Sequence, residues 1–110
     1  MKSKVPVHIR KLMKELKEGL VRIYGDRLKG LYLYGSYARG DYRQGSDVDV
    51  MILLNDYKNY WKELQRSSDY ISDLSLEYEI TVSCVIIKET QWEQPDRPFL
   101  YNVRKEAVLT

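Results

Sequence analysis

The run DVDVMILL at residues 47–54 constrains this chain more than any other stretch. Its aliphatic and β-branched side chains predict a strand. Asp47 and Asp49 stand at its head. Side chains alternate across a strand, so both acids project to one side and Val48, Val50, Ile52 and Leu54 to the other. Two like charges entering a core are costly unless something positive lies between them. A divalent cation meets that need, and Mg²⁺ combines one or two carboxylates with substrate phosphates. The pair is therefore read as a metal site whose last ligands arrive with a nucleotide. The plain alternative is two solvated acids at a strand edge. It suits a bare D-x-D better than one that opens so apolar a run.

The residues just upstream fit the same chemistry. Residues 29–34 (KGLYLY) predict a strand, ended by Gly35-Ser36, with one helical turn starting near Tyr37. Glycine lets a backbone approach a ligand closely, and amides at a helix start face anions. Ser36 adds a hydroxyl donor, and the planar fork of Arg39 is within reach of the same phosphates. Arg39 pairing with Asp41 as a surface ion pair is an equally good account of that residue.

Elsewhere the periodicity predicts helices over 7–24 and 57–74, the second capped by Asn55 or Asp56. A third strand is predicted over 78–88 (YEITVSCVIIK), then a loop broken at Pro95 and Pro98. A closing helix over 98–106 turns Phe99 and Val103 inward. Three strands with helices packed on them predict a small mixed β-sheet of the α/β class, α+β in some schemes. The 110 residues suggest a single domain, 1–110, with a modest core whose stability leans on a partner.

Composition narrows the function. A net charge of +2 argues against direct nucleic-acid binding, which needs a concentrated basic face. No apolar run is long enough to span a membrane, and the N-terminus is too charged for a signal peptide. Cys84 stands alone, so there is no internal disulfide and no cysteine zinc cluster, and a cytoplasmic location is expected. His8 has no second histidine to join it as a ligand. Trp92 is an interface anchor or a lid over the core.

The stretch GSYARGDYRQGSDVDV, Gly35 to Val50, resembles the signature of the DNA polymerase beta-like nucleotidyltransferase superfamily. Its Ala-Arg-Gly continuation and Ser46 before the first acid most closely resemble the minimal nucleotidyltransferases (MNT). Many of these are antitoxins paired with a HEPN-domain toxin. The tail PFLYNVRKEAVLT is similar to the family's, which commonly has glycine where this chain has Ala107. The resemblance implies a nucleotidyltransferase fold. It places Gly35, Ser36, Arg39 and Ser46 at the nucleotide, and Asp47 and Asp49 as catalytic residues binding Mg²⁺. It implies transfer of a nucleotide, AMP from ATP, to an acceptor hydroxyl, with a tyrosine on a HEPN toxin as the leading acceptor. An oligomer is compatible with it.

Active relatives in that superfamily carry a third carboxylate on a later strand. In the favoured register that position is Ser83, not an acid. Glu79 shares the expected strand face two residues earlier, about two-thirds of a nanometre away at ~3.3 Å per residue, and is the candidate third acid. The alternative is a catalytically weak or inactive antitoxin that acts by binding its toxin. Modification of a small drug ranks behind both, because it calls for a second surface to hold the drug.

Overall fold

A computed structural model describes residues 4–94 and 97–110. The first helix, α1 (Val7–Tyr24), buries Ile9, Leu12, Met13, Leu16, Leu20 and Tyr24 on one face. Pro6 stands just before it, with its carbonyl accepting the Ile9 and Arg10 amides. Gly25 ends it at φ 56°, where a β-carbon would be strained. A 3-10 turn leads into β1 (Leu28–Tyr34).

After the short turn α2 (Ser36–Arg39), β2 (Val48–Leu54) returns antiparallel to β1, with Tyr34 opposite Asp49. The long helix α3 (Tyr60–Tyr78) crosses over, and β3 (Val82–Lys88) lies parallel to β2. A helical turn, α4 (Glu89–Trp92), and the closing helix α5 (Pro98–Glu106) precede β4 (Val108–Leu109), which pairs antiparallel with β1. The sheet order is β3-β2-β1-β4. The small mixed sheet with packed helices is as the sequence predicts. β4 is an addition, because two residues are too short a signal to read.

Strand parity divides the core. Leu31, Leu33, Val48, Val50, Ile52, Leu54 and Ile86 pack under α1 and α3. Met51, Leu53 and Ile87 pack on the opposite face with Leu100 and Val103 of α5. Asp49 shares the parity of Met51 and Leu53, so the acids belong to the α5 face.

Three sequence expectations are corrected. The cap of α3 is Asn59, whose side chain accepts the Lys62 amide, not Asn55 or Asp56. Those two spend their carboxamide and carboxylate oxygens on the next residue's amide in the loop. The helix then continues to Tyr78 and closes in a Schellman motif: Ile80 N–H donates to Ser75 O and Glu79 N–H to Leu76 O. Glu79 occupies the left-handed position at φ 53°, so β3 begins only at Val82. In α5, Leu100 and Val103 turn inward, while Phe99 is 50% exposed and forms a T-shaped ring pair with Tyr34. Pro98 is the first residue of α5, where its missing N–H costs nothing. Pro95 lies outside the described residues. Trp92 stacks on Tyr32 at 4.8 Å beneath Arg104, a lid over the second core.

Candidate active site

The site forms where β1 ends and β2 begins. The β1–β2 register sets Tyr34 against Asp49, so Gly35 passes directly over the Asp49 carboxylate. Gly35 sits at φ 77° and ψ −157°, a backbone region open essentially to glycine alone. A β-carbon there would run into Asp49 Oδ2 and stand 3.1 Å from Asp49 Cγ. Glycine is needed at this position both for its backbone and for its missing side chain.

Asp47 is exposed and Asp49 half-buried. Burial, and next the Asp47 charge, push the Asp49 carboxyl above its ordinary value; Arg39 pulls the other way, and Glu106 adds a further push. The carboxylates thus repel each other at the mouth of an apolar face. That is the environment in which an oxygen-seeking cation is favoured. No third His, Cys, Asp or Glu joins them in a metal-sized cluster among the described residues. The donor set fits Mg²⁺ held by two carboxylates with other ligands from water and substrate.

The loop after Gly35 offers donors. Gly35 O accepts the Ala38 and Arg39 amides, which shapes one helical turn. Among the described residues no acceptor is paired with the Ser36 or Tyr37 amide, nor with the Ser36 hydroxyl. The Gly35 amide is engaged, donating to Glu106 Oε2 at 2.9 Å. Arg39 is engaged too, pairing with Asp41 at 3.1 Å and Glu106 at 2.7 Å. Ser46 closes its own turn: its hydroxyl accepts the Arg43 amide at 2.8 Å, and its amide donates to Arg43 O.

Ser83 faces Asp49 across the β2–β3 ladder, and its hydroxyl lies 3.5 Å from Asp47 Oδ2. The position read from the sequence as the third-acid position is therefore beside the pair, and it carries a hydroxyl. Glu79 is not brought there. It is exposed in the α3 cap, three residues before β3 begins, so strand parity does not aim it at the acids. The residue that sequence reasoning missed is Glu106. Its only signal was a lone acid at the end of a predicted helix, far from the motif.

The family of nucleotidyltransferase domains matches residues 13–107. The chain is a member of that family. A Methanocaldococcus jannaschii protein with the provisional name protein adenylyltransferase is 42% identical over 84 residues, 76% of this chain and 84% of that one. A crystal structure of a provisionally named nucleotidyltransferase from Sulfolobus solfataricus superposes with a TM-score of 0.66 at 26% identity, covering 99% of this chain and 86% of that one. A Shewanella oneidensis complex of an MNT antitoxin with a tri-AMPylated HEPN toxin shares the fold. It gives a TM-score of 0.53 at 17% identity over 91% of this chain and 70% of that one. Membership of the nucleotidyltransferase-domain family agrees with the motif at Gly35 to Val50. No described helix of this nucleotidyltransferase is long and apolar enough to cross a membrane.

Proposed function

We propose that this nucleotidyltransferase transfers AMP from ATP, with Mg²⁺, to a tyrosine hydroxyl of a HEPN-domain toxin and so acts as its antitoxin. The whole stretch 1–110 serves as one catalytic domain, in the cytoplasm. The observation that carries the proposal is the Asp47–Asp49 pair abutting the Gly35-Ser36 loop. The tri-AMPylated toxin in the Shewanella oneidensis complex supports the choice of nucleotide and acceptor.

Asp47 and Asp49 hold Mg²⁺ in this scheme. Bound there, the ion offsets charge on the triphosphate and on the leaving pyrophosphate. The amides of Ser36 and Tyr37 and the Ser36 hydroxyl hold phosphate oxygens, as backbone donors at a helix start do. Gly35 contributes by letting that loop lie flat on Asp49. The acceptor oxygen attacks the α-phosphorus in line, the bond to the bridging oxygen breaks, and pyrophosphate leaves. The acceptor's proton passes to water, since no third carboxylate joins the pair in a metal-sized cluster among the described residues. Glu79 has no part in this scheme, and Ser46 acts by shaping the loop ahead of Asp47. Positioning and electrostatics supply the acceleration.

The serine at position 83 favours a second reading, in which the protein neutralises its toxin by binding and transfers AMP slowly or not at all. One experiment separates them. The toxin is incubated with this protein, ATP and Mg²⁺, and its mass is measured. A gain of one or more AMP units, absent with the Asp47→Asn/Asp49→Asn variant, supports transfer. Full protection of the toxin with no mass gain rejects it in favour of binding.

A further inference from the structure

We propose that Glu106 is a positioning residue that latches the nucleotide loop to the C-terminal helix. The inference rests on the proposed role of that loop in holding the triphosphate. A turn as short as α2 cannot hold itself, because a single helical turn fixes several dihedrals for one hydrogen bond. Here one carboxylate oxygen brackets it. Glu106 Oε2 accepts the Gly35 amide at the front of the turn and Arg39 Nη1 at its end, at 2.9 and 2.7 Å.

The rest of the tail exists in a geometry that delivers that oxygen. Leu100 and Val103 seat α5 in the second core. Just past the helix, Val108 pairs with Leu33 and Leu109 with Tyr32. Continuing that antiparallel register by two residues sets Glu106 opposite Gly35. β4 is thus less a structural strand than a clip that fixes one side chain over the loop. With its amide and its last side chain tied, the turn keeps the Ser36 and Tyr37 amides facing outward and Gly35 pressed on Asp49. The Glu106 side chain is mostly shielded, 19% exposed, which strengthens a charged acceptor relative to one in open water.

The test uses Glu106→Ala, Glu106→Asp and Glu106→Gln in the full chain. Glutamine keeps an oxygen at the right reach; aspartate, a methylene shorter, does not. Exchange of the Gly35 amide by NMR, without nucleotide, reads the latch directly. It is expected to be protected in the wild type and in Glu106→Gln, and at least about tenfold faster in Glu106→Ala and Glu106→Asp. Equal Gly35 exchange in all four proteins overturns the proposal. In steady-state transfer, Glu106→Ala raises the KM for ATP about tenfold to a hundredfold, the range for a lost bond to a charged group. The kcat at saturating ATP stays within a few-fold of wild type, and Glu106→Gln recovers most of the KM. An unchanged or lower KM in Glu106→Ala overturns the proposal and marks the carboxylate as an occupant of the phosphate site. If Glu106→Ala does not fold, the Asp and Gln variants carry the comparison. A wild type with a protected Gly35 amide but no ATP–Mg²⁺ binding counts against the proposed function and leaves the latch standing.

Discussion

Replacing Gly35 with alanine tests the packing on which the site depends. Two costs add. The backbone at φ 77° and ψ −157° disfavours any β-carbon, at about 1–3 kcal/mol for a residue held in such a region. The new methyl would also collide with Asp49 Oδ2, with Cγ at 3.1 Å and Cβ at 3.3 Å. These atoms lie close to the β2 backbone and cannot swing clear as the end of a long side chain can. Either Asp49 rotates out of the pair or the loop lifts off and gives up its bond to Glu106. At roughly 4–8 °C per kcal/mol for a domain near this size, the strain alone lowers the melting temperature by about 5–20 °C. Displacing the loop or the acid by an ångström costs transfer about a hundredfold. Gly45→Ala is the control: its φ of 87° carries strain, but nothing lies within 4 Å of an added β-carbon, so it should lower stability and spare transfer. A second check places Gly35→Ala in an Asp49→Ala background, where most of the collision is gone and the stability loss should shrink. The assays are thermal denaturation by circular dichroism and incorporation from α-labelled ATP. Unchanged melting and unchanged labelling in Gly35→Ala would refute the close approach of loop and acid.

Burial, and next the Asp49 charge, hold the Tyr34 phenol up at about 12 against an ordinary 10.0. The unfolded chain therefore loses this proton first, so stability is intact below pH 10 and falls as pH rises from 10 towards 12. Urea unfolding across that window should show a shallower decline for Tyr34→Phe, and identical slopes would count against the shift. Glu63, 7% exposed at its side chain, is forked by both Nη atoms of Arg27, with Arg66 as a second partner. Arg27→Ala leaves that carboxylate mostly buried, and about 3 kcal/mol of stability should be lost, the lower end for a broken buried pair because Arg66 remains. Denaturant titration checks it, and a loss under ~1 kcal/mol would assign the pair to the weak surface class. Ser83→Asp places a third carboxylate beside Asp47 and Asp49. It should lower the melting temperature without metal, restore it with Mg²⁺, and raise the transfer rate; calorimetry showing no gain in Mg²⁺ affinity would sink the account of that position.

The acid pair, its strand and the Gly-Ser loop were legible because they rest on local rules. Alternation puts Asp47 and Asp49 on one face whatever the tertiary context. Long apolar periodicity gave α1 at its observed bounds, Val7–Tyr24. Errors arose where one residue could serve two local structures. Glu79 reads as a strand residue by its β-branched neighbours, yet it adopts a left-handed helix cap that sequence pattern assigns to glycine or asparagine. Asn55, Asp56 and Asn59 are all cap formers, and only the packing of α3 selects the last. Glu106 was illegible for a different reason. Its partner lies 71 residues away, and the link depends on a two-residue strand with no pattern of its own.

Three registers bring the site together. The β1–β2 pairing puts Gly35 over Asp49, the β2–β3 pairing puts Ser83 beside the acids, and the β1–β4 pairing carries Glu106 over Gly35. A one-residue slip in any of them would turn its side chains to the other face. For the β1–β2 and β2–β3 pairings the apolar halves of the strands forbid that slip, because Val48, Val50 and Ile52 would leave the core under α1 and α3 as the acids entered it. The hydrophobic pattern that folds the sheet is therefore also what aligns the chemistry. It follows that a substitution such as Val50→Asp, which touches no ligand, should abolish nucleotide binding together with folding. Ser83 and Glu106, which sit on the α5 face outside the larger core, remain free to tune the site without endangering the sheet.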